Sequence, residues 1–302
     1  MYYDYSRLGL LLNYTDVLNQ TQSYTYDNAG RLERTCLGST SSDFTYDGLG
    51  QTSTISTYDS VSEQCVTISL EYDGLGRETK RTFDLDGVEQ QLVQVYNKVD
   101  ALVQRTLSQG EELLRDETYE YDLRGRLVLY KCEGSQRPID PYGKAIVSQI
   151  FRFDDMDNLT RVTTTYPGPG NTTSTNNATY TYEGVDPTQL SKVENSAIAD
   201  GYTKVIELKY DADGHMIRDE ENRVLEYDAL GRLTHVSALP GETPSGYSYD
   251  ALDKLAGRDG QEQRFYQNGD LANLIKPSSS STFMHGNGGA LAERQEGAGP
   301  KS

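Results

Sequence analysis

Carboxylates are the most abundant reactive groups in this chain, and they recur at a fixed spacing. Asp27, Asp47, Asp73, Asp122, Asp211 and Asp228 each follow a tyrosine and each stand three residues before a glycine. Two carboxylates flanking a glycosidic bond can serve as acid and as nucleophile or base. An active site, however, needs unique residues converging in a pocket. A side chain present in every unit of a series serves the unit. Asp84-Leu-Asp86-Gly87, Asp154-Asp-Met-Asp157-Asn158 and Asp211-Ala-Asp213-Gly214 share the opening spacing of a calcium loop. That loop needs a bidentate glutamate at its twelfth position. Counting from Asp211 gives Asn222, and from Asp84 gives Val95. His215, His235 and His285 have no clustered ligands in sequence, so they carry neither a metal nor an acid–base signature. Gly-x-Ser-x-Gly and phosphate-loop patterns are missing. The expectation is no catalytic residue, no cofactor and no metal. Asn13-Tyr-Thr and Asn171-Thr-Thr match glycosylation acceptors but read as ordinary loop composition.

The repeating carboxylate belongs to a longer pattern. Tyr26-Asp-Asn-Ala-Gly30-Arg-Leu32, Tyr46-Asp-Gly-Leu-Gly50-Gln, Tyr72-Asp-Gly-Leu-Gly76-Arg, Tyr121-Asp-Leu-Arg-Gly125-Arg-Leu127, Tyr210-Asp-Ala-Asp-Gly214-His and Tyr227-Asp-Ala-Leu-Gly231-Arg-Leu233 are its fullest copies. Weaker copies begin at Tyr96, Phe153, Tyr182, Tyr249 and Tyr266. Tyr26, Tyr46, Tyr72, Tyr96 and Tyr121 stand 20, 26, 24 and 25 residues apart, the period of a supersecondary unit.

Each copy reads as strand, tight turn, strand. Alternation before the motif, as in Tyr24-Thr-Tyr26 and Tyr119-Glu-Tyr121, marks a half-exposed strand. Asp opens the turn and accepts an N–H two residues on. Gly takes the left-handed conformation that closes a bulged hairpin loop. In the Phe153 copy, Asn158 is read as the residue replacing that glycine. No capped amphipathic run reaches twelve residues; the best short candidate, Leu107 to Arg115, is broken by Gly110. A lone hairpin is marginal, and stacked hairpins form one sheet. The predicted class is therefore all-β, with a repeat array over 1–276 and a flexible Ser/Gly-rich tail over 277–302. Pro138 to Gly143, Pro167 to Asn177 and Pro240 to Gly246 read as long exposed loops.

Composition sets outer bounds. Apolar residues are 35% of 302, yet 23 tyrosines and 6 phenylalanines make the chain too aromatic for disorder. A net charge of −18 excludes nucleic acid, which needs a basic surface, and opposes anionic membranes. Cys36, Cys65 and Cys132 offer neither a disulfide framework nor a zinc spacing. The N-terminus lacks a signal-peptide pattern, and Leu8 to Leu12 is too short to span a bilayer.

At these motifs the chain resembles the YD-repeat or Rhs family, including Rhs effectors and the C component of bacterial toxin complexes. The resemblance covers about residues 2 to 295 and rests on the several near-complete Tyr-Asp-x-x-Gly-Arg-Leu copies. Arg264-Phe-Tyr-Gln-Asn-Gly-Asp-Leu271, Phe283-Met-His-Gly and Ala290-Leu-Ala-Glu293 are similar to the segment that precedes the family's conserved core. The resemblance implies repeats wound into a curved, hollow β-cocoon around a toxic C-terminal polypeptide. It also implies a core with an aspartyl-protease-like site, which no segment here matches, so autoproteolysis is not carried over.

The first functional expectation is thus a non-catalytic shell segment. Its partners would be a toxin cargo or the remaining shell half, with a secretion or delivery apparatus, and its location secreted or at the cell surface. The second is an adhesion module in which exposed Tyr, Asp, Asn and Arg bind carbohydrate. The third is a glycosidase, which would need one non-repeated carboxylate pair in a cleft.

Overall fold

A computed structural model describes residues 1–297. Its regular structure is nearly all strand, with two single-turn 3-10 segments at Pro169–Asn171 and Ile198–Asp200. The chain divides into two compact units. One comprises Met1–Gln90 together with the chain from Gly246 onward; the other is Gln91–Ser245.

In the first unit, strands Tyr2–Tyr5, Leu11–Thr15, Thr21–Tyr26, Leu32–Leu37, Thr40–Tyr46, Thr52–Asp59, Cys65–Tyr72 and Glu78–Leu85 pair antiparallel, each with the next. A second antiparallel sheet follows the same rule through Ser245–Tyr249, Leu255–Arg258, Glu262–Gln267, Asp270–Lys276, Ser279–Gly286 and Gly289–Gly297. The two sheets meet across a largely polar seam. Asn273 Nδ2 and Thr282 Oγ1 donate to Asp16 Oδ2 at 2.6 and 3.2 Å. Gln22 Nε2 donates to the His285 carbonyl at 2.7 Å, and Asn287 Nδ2 to the Tyr46 hydroxyl at 2.9 Å. Gly286 lies so close to Leu32 and Phe44 that a Cβ there would stand 3.1 and 3.0 Å from their side chains.

The segment expected to be a flexible tail is therefore folded to Gly297: its two strands pair, Ser281 and Thr282 are buried, and Thr282 is a seam residue. Residues 298–302 of that expected tail lie outside the described residues. His285, which falls in that expected tail, holds the Leu271 carbonyl at 2.8 Å through Nε2.

In the second unit, Leu102–Gln109, Glu112–Tyr121, Leu127–Glu133, Ser148–Phe153, Leu159–Pro167, Thr173–Thr181, Lys192–Asn195 and Val205–Glu207 pair in chain order. Short pairs follow at Lys209–Tyr210 with Met216–Arg218 and at Leu225–Tyr227 with Leu233–Val236. Its core is small. Tyr130, Cys132 and Ile146 are buried against Tyr119, Leu127 and Phe151. The stretch expected as a long loop from Pro167 is mostly ladder: Tyr166 pairs with Ser174, and Asn176 and Asn177 sit inside a strand.

At every full motif copy the ladder skips a residue beside the turn, as where Thr25 faces Arg34 and Tyr26 faces Leu32. This bulge lets the left-handed glycine close the hairpin. Gly125 has φ +78°, and a Cβ there would meet nothing within 4 Å, so only backbone strain opposes substitution. We expect Gly125→Val to lower Tm by several degrees, from about 1–2 kcal/mol of left-handed strain. Gly125→Asn should lose less than half as much. Equal losses in calorimetric melting would show that crowding, not φ, sets the residue.

Candidate functional site

The repeating turn is where this chain concentrates its polar chemistry. In the Asp27 turn, the Gly30 N–H donates to the Asp27 carbonyl and the Asp27 N–H to the Arg31 carbonyl, both at 2.9 Å. Asp27 Oδ1 accepts the N–H groups of Ala29 and Arg31, also at 2.9 Å. One carboxylate oxygen thus satisfies two backbone donors that the turn would leave unpaired. Asp47, Asp73, Asp122, Asp211 and Asp228 make the same two bonds. Gly30, Gly50, Gly76, Gly125, Gly214 and Gly231 all lie at φ between +76° and +89°.

The second oxygen faces the residue four positions on. Arg31 Nε donates to Asp27 Oδ2 at 2.7 Å, and Arg77, Arg126 and Arg232 repeat that contact on Asp73, Asp122 and Asp228. The Arg77 guanidinium holds the Asp73 carboxyl below the usual carboxylate range, and Arg232 does the same to Asp228. For Asp27 the leading cause is the Arg31 backbone N–H, then its side chain. The same arginine reaches forward: Arg31 lies 4.3 Å over the Tyr46 ring and Arg126 4.8 Å over Phe153. The sequence reading of the turn gave this arginine no role. Its spacing from Asp, four residues in copy after copy, was the available signal.

The motif tyrosine completes the link. Tyr46 donates its hydroxyl to the Leu32 carbonyl at 2.7 Å, at the start of the preceding return strand. Tyr26 does so to Leu11, Tyr72 to Thr52, Tyr121 to Leu102, Tyr182 to Leu159, Tyr210 to Leu190, Tyr227 to Met216 and Tyr266 to Leu255, at 2.8 to 3.0 Å. Burial pushes the Tyr26, Tyr72, Tyr121 and Tyr210 phenols up, so they stay neutral donors. Successive units are therefore stapled by a ring and its hydroxyl, with a guanidinium added where Arg31 covers Tyr46, and by a guanidinium alone where Arg126 covers Phe153.

The turn is also more widespread than the tyrosine suggests. Asp16, Asp140 and Asp219 build it behind Thr15, Ile139 and Arg218. The stretch from Pro138 to Gly143, expected as a long loop, is thus largely a repeat turn. In the Phe153 copy the left-handed residue is Asp157, at φ +67°, and not Asn158. Asn158 stands in the arginine position and donates to Asp154 Oδ2 at 2.9 Å. The Tyr182 copy keeps its hydroxyl bond, but its turn is replaced by one around Asp186. The Tyr266 copy uses a two-residue turn with Asn268 and Gly269 both at positive φ.

His215 occupies the arginine position of the Asp211 turn, 3.1 Å from Asp211 Oδ2, and stacks on the Tyr227 ring at 4.8 Å. Asp211, Asp213 and His215 thereby bring one ligand atom each to within 4.8 Å of one another. The turn itself accounts for that proximity.

The lowered turn carboxylates make stability depend on pH. A carboxylate whose folded pKa lies below its unfolded value, about 3.9, stabilises above that value and stops doing so as pH falls through the folded one. We expect Arg77→Gln to lower Tm at pH 7, and the difference from wild type to close as pH falls below the ordinary carboxylate range and Asp73 protonates. A difference that persists unchanged in acid would assign Arg77 to packing alone.

Residues 39–276 match the family model described as the teneurin YD-shell. Curated protein sequences returned no match. Among solved structures, the TcdB2–TccC3–TEV crystal structure aligns over 97% of this chain at 16% identity, with TM-score 0.64. TcdB2–TccC3 without its hypervariable C-terminal region aligns over 97% at 14%, with TM-score 0.64. The Photorhabdus luminescens Tc holotoxin pore aligns over 91% at 16%, with TM-score 0.61. This chain spans 17%, 17% and 15% of those chains, and at such identities the likeness speaks for the fold. The turn chemistry and the family match over well more than half the sequence agree: the chain belongs to the teneurin YD-shell family.

Proposed function

We propose that this chain is a wall segment of a container that encloses a toxin polypeptide and holds it inactive until delivery. The observation that carries the reading is the tyrosine staple. At eight motif tyrosines it joins a hairpin to its predecessor, so the sheet extends by whole units and gains area without a large core. A wall needs that property, and a catalytic cleft does not. The solved assemblies of similar fold, the TcdB2–TccC3 structures and the Tc holotoxin pore, support a place in a toxin complex. The role is structural and non-catalytic, with the aspartates committed to their own turns. The partner is the cargo or further shell, and the site of action lies outside the producing cell. Among the described residues no helix is long and apolar enough to cross a membrane.

The test is protection. The chain is expressed with the polypeptide fused to it or encoded beside it and challenged with trypsin. We expect the partner to co-purify and to resist doses that digest it alone. Tyr72→Phe with Tyr121→Phe, which removes two staples at about 1 kcal/mol each, should make it sensitive. A partner cut at the same rate bound and free, with the chain retaining glycans on its own, would replace the container by the adhesion reading.

A further inference from the structure

We propose that a cavity in the Gln91–Ser245 unit binds the cationic side chain, arginine or lysine, of a polypeptide. The proposal deepens the container reading and rests on it for one point, that the side chain belongs to the cargo.

The cavity is about 410 Å³. It forms where the regular ladder is interrupted, between the Asp140 turn, the 3-10 segment region that carries Tyr202, and Glu220 of the Asp219 turn. Its floor spans three adjacent strands and alternates buried Val162, Ala178 and Val193 with buried Thr164, Asn176 and Asn195. Its walls are aromatic. The Tyr142 and Tyr202 rings lie 4.5 Å apart at 41°, and Tyr180 shares the lining. Burial, then the neighbouring Tyr182 and Tyr142, push the Tyr180 phenol up, so the walls carry no phenolate.

The free polar groups decide the ligand. The buried amides are committed to the protein. Asn176 Nδ2 donates to Asn195 Oδ1 at 2.8 Å and its Oδ1 accepts the Ser196 and Ala197 N–H groups, while Asn195 Nδ2 donates to the Thr203 carbonyl. Asp140 Oδ2 holds the Tyr202 hydroxyl at 2.5 Å. Glu220 is more available. Among the described residues its one ion-pair contact is Arg223 at 4.0 Å, and Arg223 is already engaged by Asp219 at 2.6 Å. Both charged groups in the lining are acidic, and among the described residues no lysine or arginine lines it. An anion finds no donor of charge there, and a polyol finds few uncommitted amides. An aliphatic stem ending in a cation fits all three surfaces: stem on the valines of the floor, head over tyrosine faces, charge toward Glu220.

The test is calorimetric titration of this chain with N-acetyl-arginine amide and with its neutral isostere, N-acetyl-citrulline amide. We expect the citrulline probe to bind at least about tenfold more weakly. Glu220→Gln, at an exposed side chain that leaves the fold intact, should weaken the arginine probe roughly three- to tenfold. Glu120→Gln, an exposed charge on another strand, should leave it unchanged. Tyr180→Leu keeps the apolar wall and should also weaken binding. Equal binding of both probes, or Glu220→Gln matching wild type, overturns the assignment, as does an equal loss in Glu120→Gln, which would reduce the effect to net charge. Cation binding by a chain that protects no cargo would remove the container reading and leave the cavity assignment standing. Protection without cation binding would do the reverse.

Discussion

The structure depends on one carboxylate with two oxygens that do different work. Oδ1 saturates two backbone donors inside a reversal of the chain, and Oδ2 is left to fix the arginine four residues on or, where there is none, another donor. Ordering a residue costs about 1–2 kcal/mol of backbone entropy, and this chain has little buried apolar volume to set against it. A thin sheet gains instead from many local, fully satisfied turns, each rigid before it meets its neighbour. Stability then accumulates as units plus nearest-neighbour contacts, as in other repeat proteins. The tyrosine hydroxyl and the arginine stacked on the next ring are those contacts.

Much of this was legible because the turn is local. Asp followed three residues later by Gly, after an alternating aromatic stretch, specifies a bulged hairpin from a seven-residue window, and Gly30 and Gly125 take the φ that window demands. What escaped were turns in which the tyrosine is replaced. Asp16, Asp140 and Asp219 keep the carboxylate chemistry but lack the ring, so a pattern anchored on Tyr-Asp passes over them. The offset at Asn158 has the same origin. Asn tolerates positive φ, but Asp157 sits at the glycine position and Asn158 does the arginine's work.

The C-terminal strands failed for a different reason. Ser278-Ser-Ser-Ser281 has the composition of a linker, and composition reports disorder only when burial must be apolar. Here the surface it meets is polar. Thr282 and Asn273 are buried because Asp16 offers a carboxylate oxygen between the sheets, and a serine-rich strand is as good a ladder partner as any other once its backbone is paired. Long-range polar complementarity of this kind leaves no periodic trace in the sequence.

These two gaps join at the position four residues after the aspartate. Where that residue is arginine, Oδ2 is consumed within the turn and the turn couples only to its neighbours. Where it is Gln20 or Lys144, Oδ2 is released. At Asp16 it crosses to Asn273 and Thr282 on the other sheet of its unit, and at Asp140 it takes the Tyr202 hydroxyl from 62 residues away. At these two turns the missing arginine frees an oxygen for a tertiary contact; at Asp47, where the residue is Gln51, the amide instead donates to the Gly76 carbonyl of the next turn. His215 and Asn158, which keep a nitrogen donor on Oδ2, remain local. The motif's departures are thus part of its logic. In a fully regular array every carboxylate would close on itself; the released oxygen of Asp16 instead joins Gln22 and Asn287 in holding one sheet of its unit to the other.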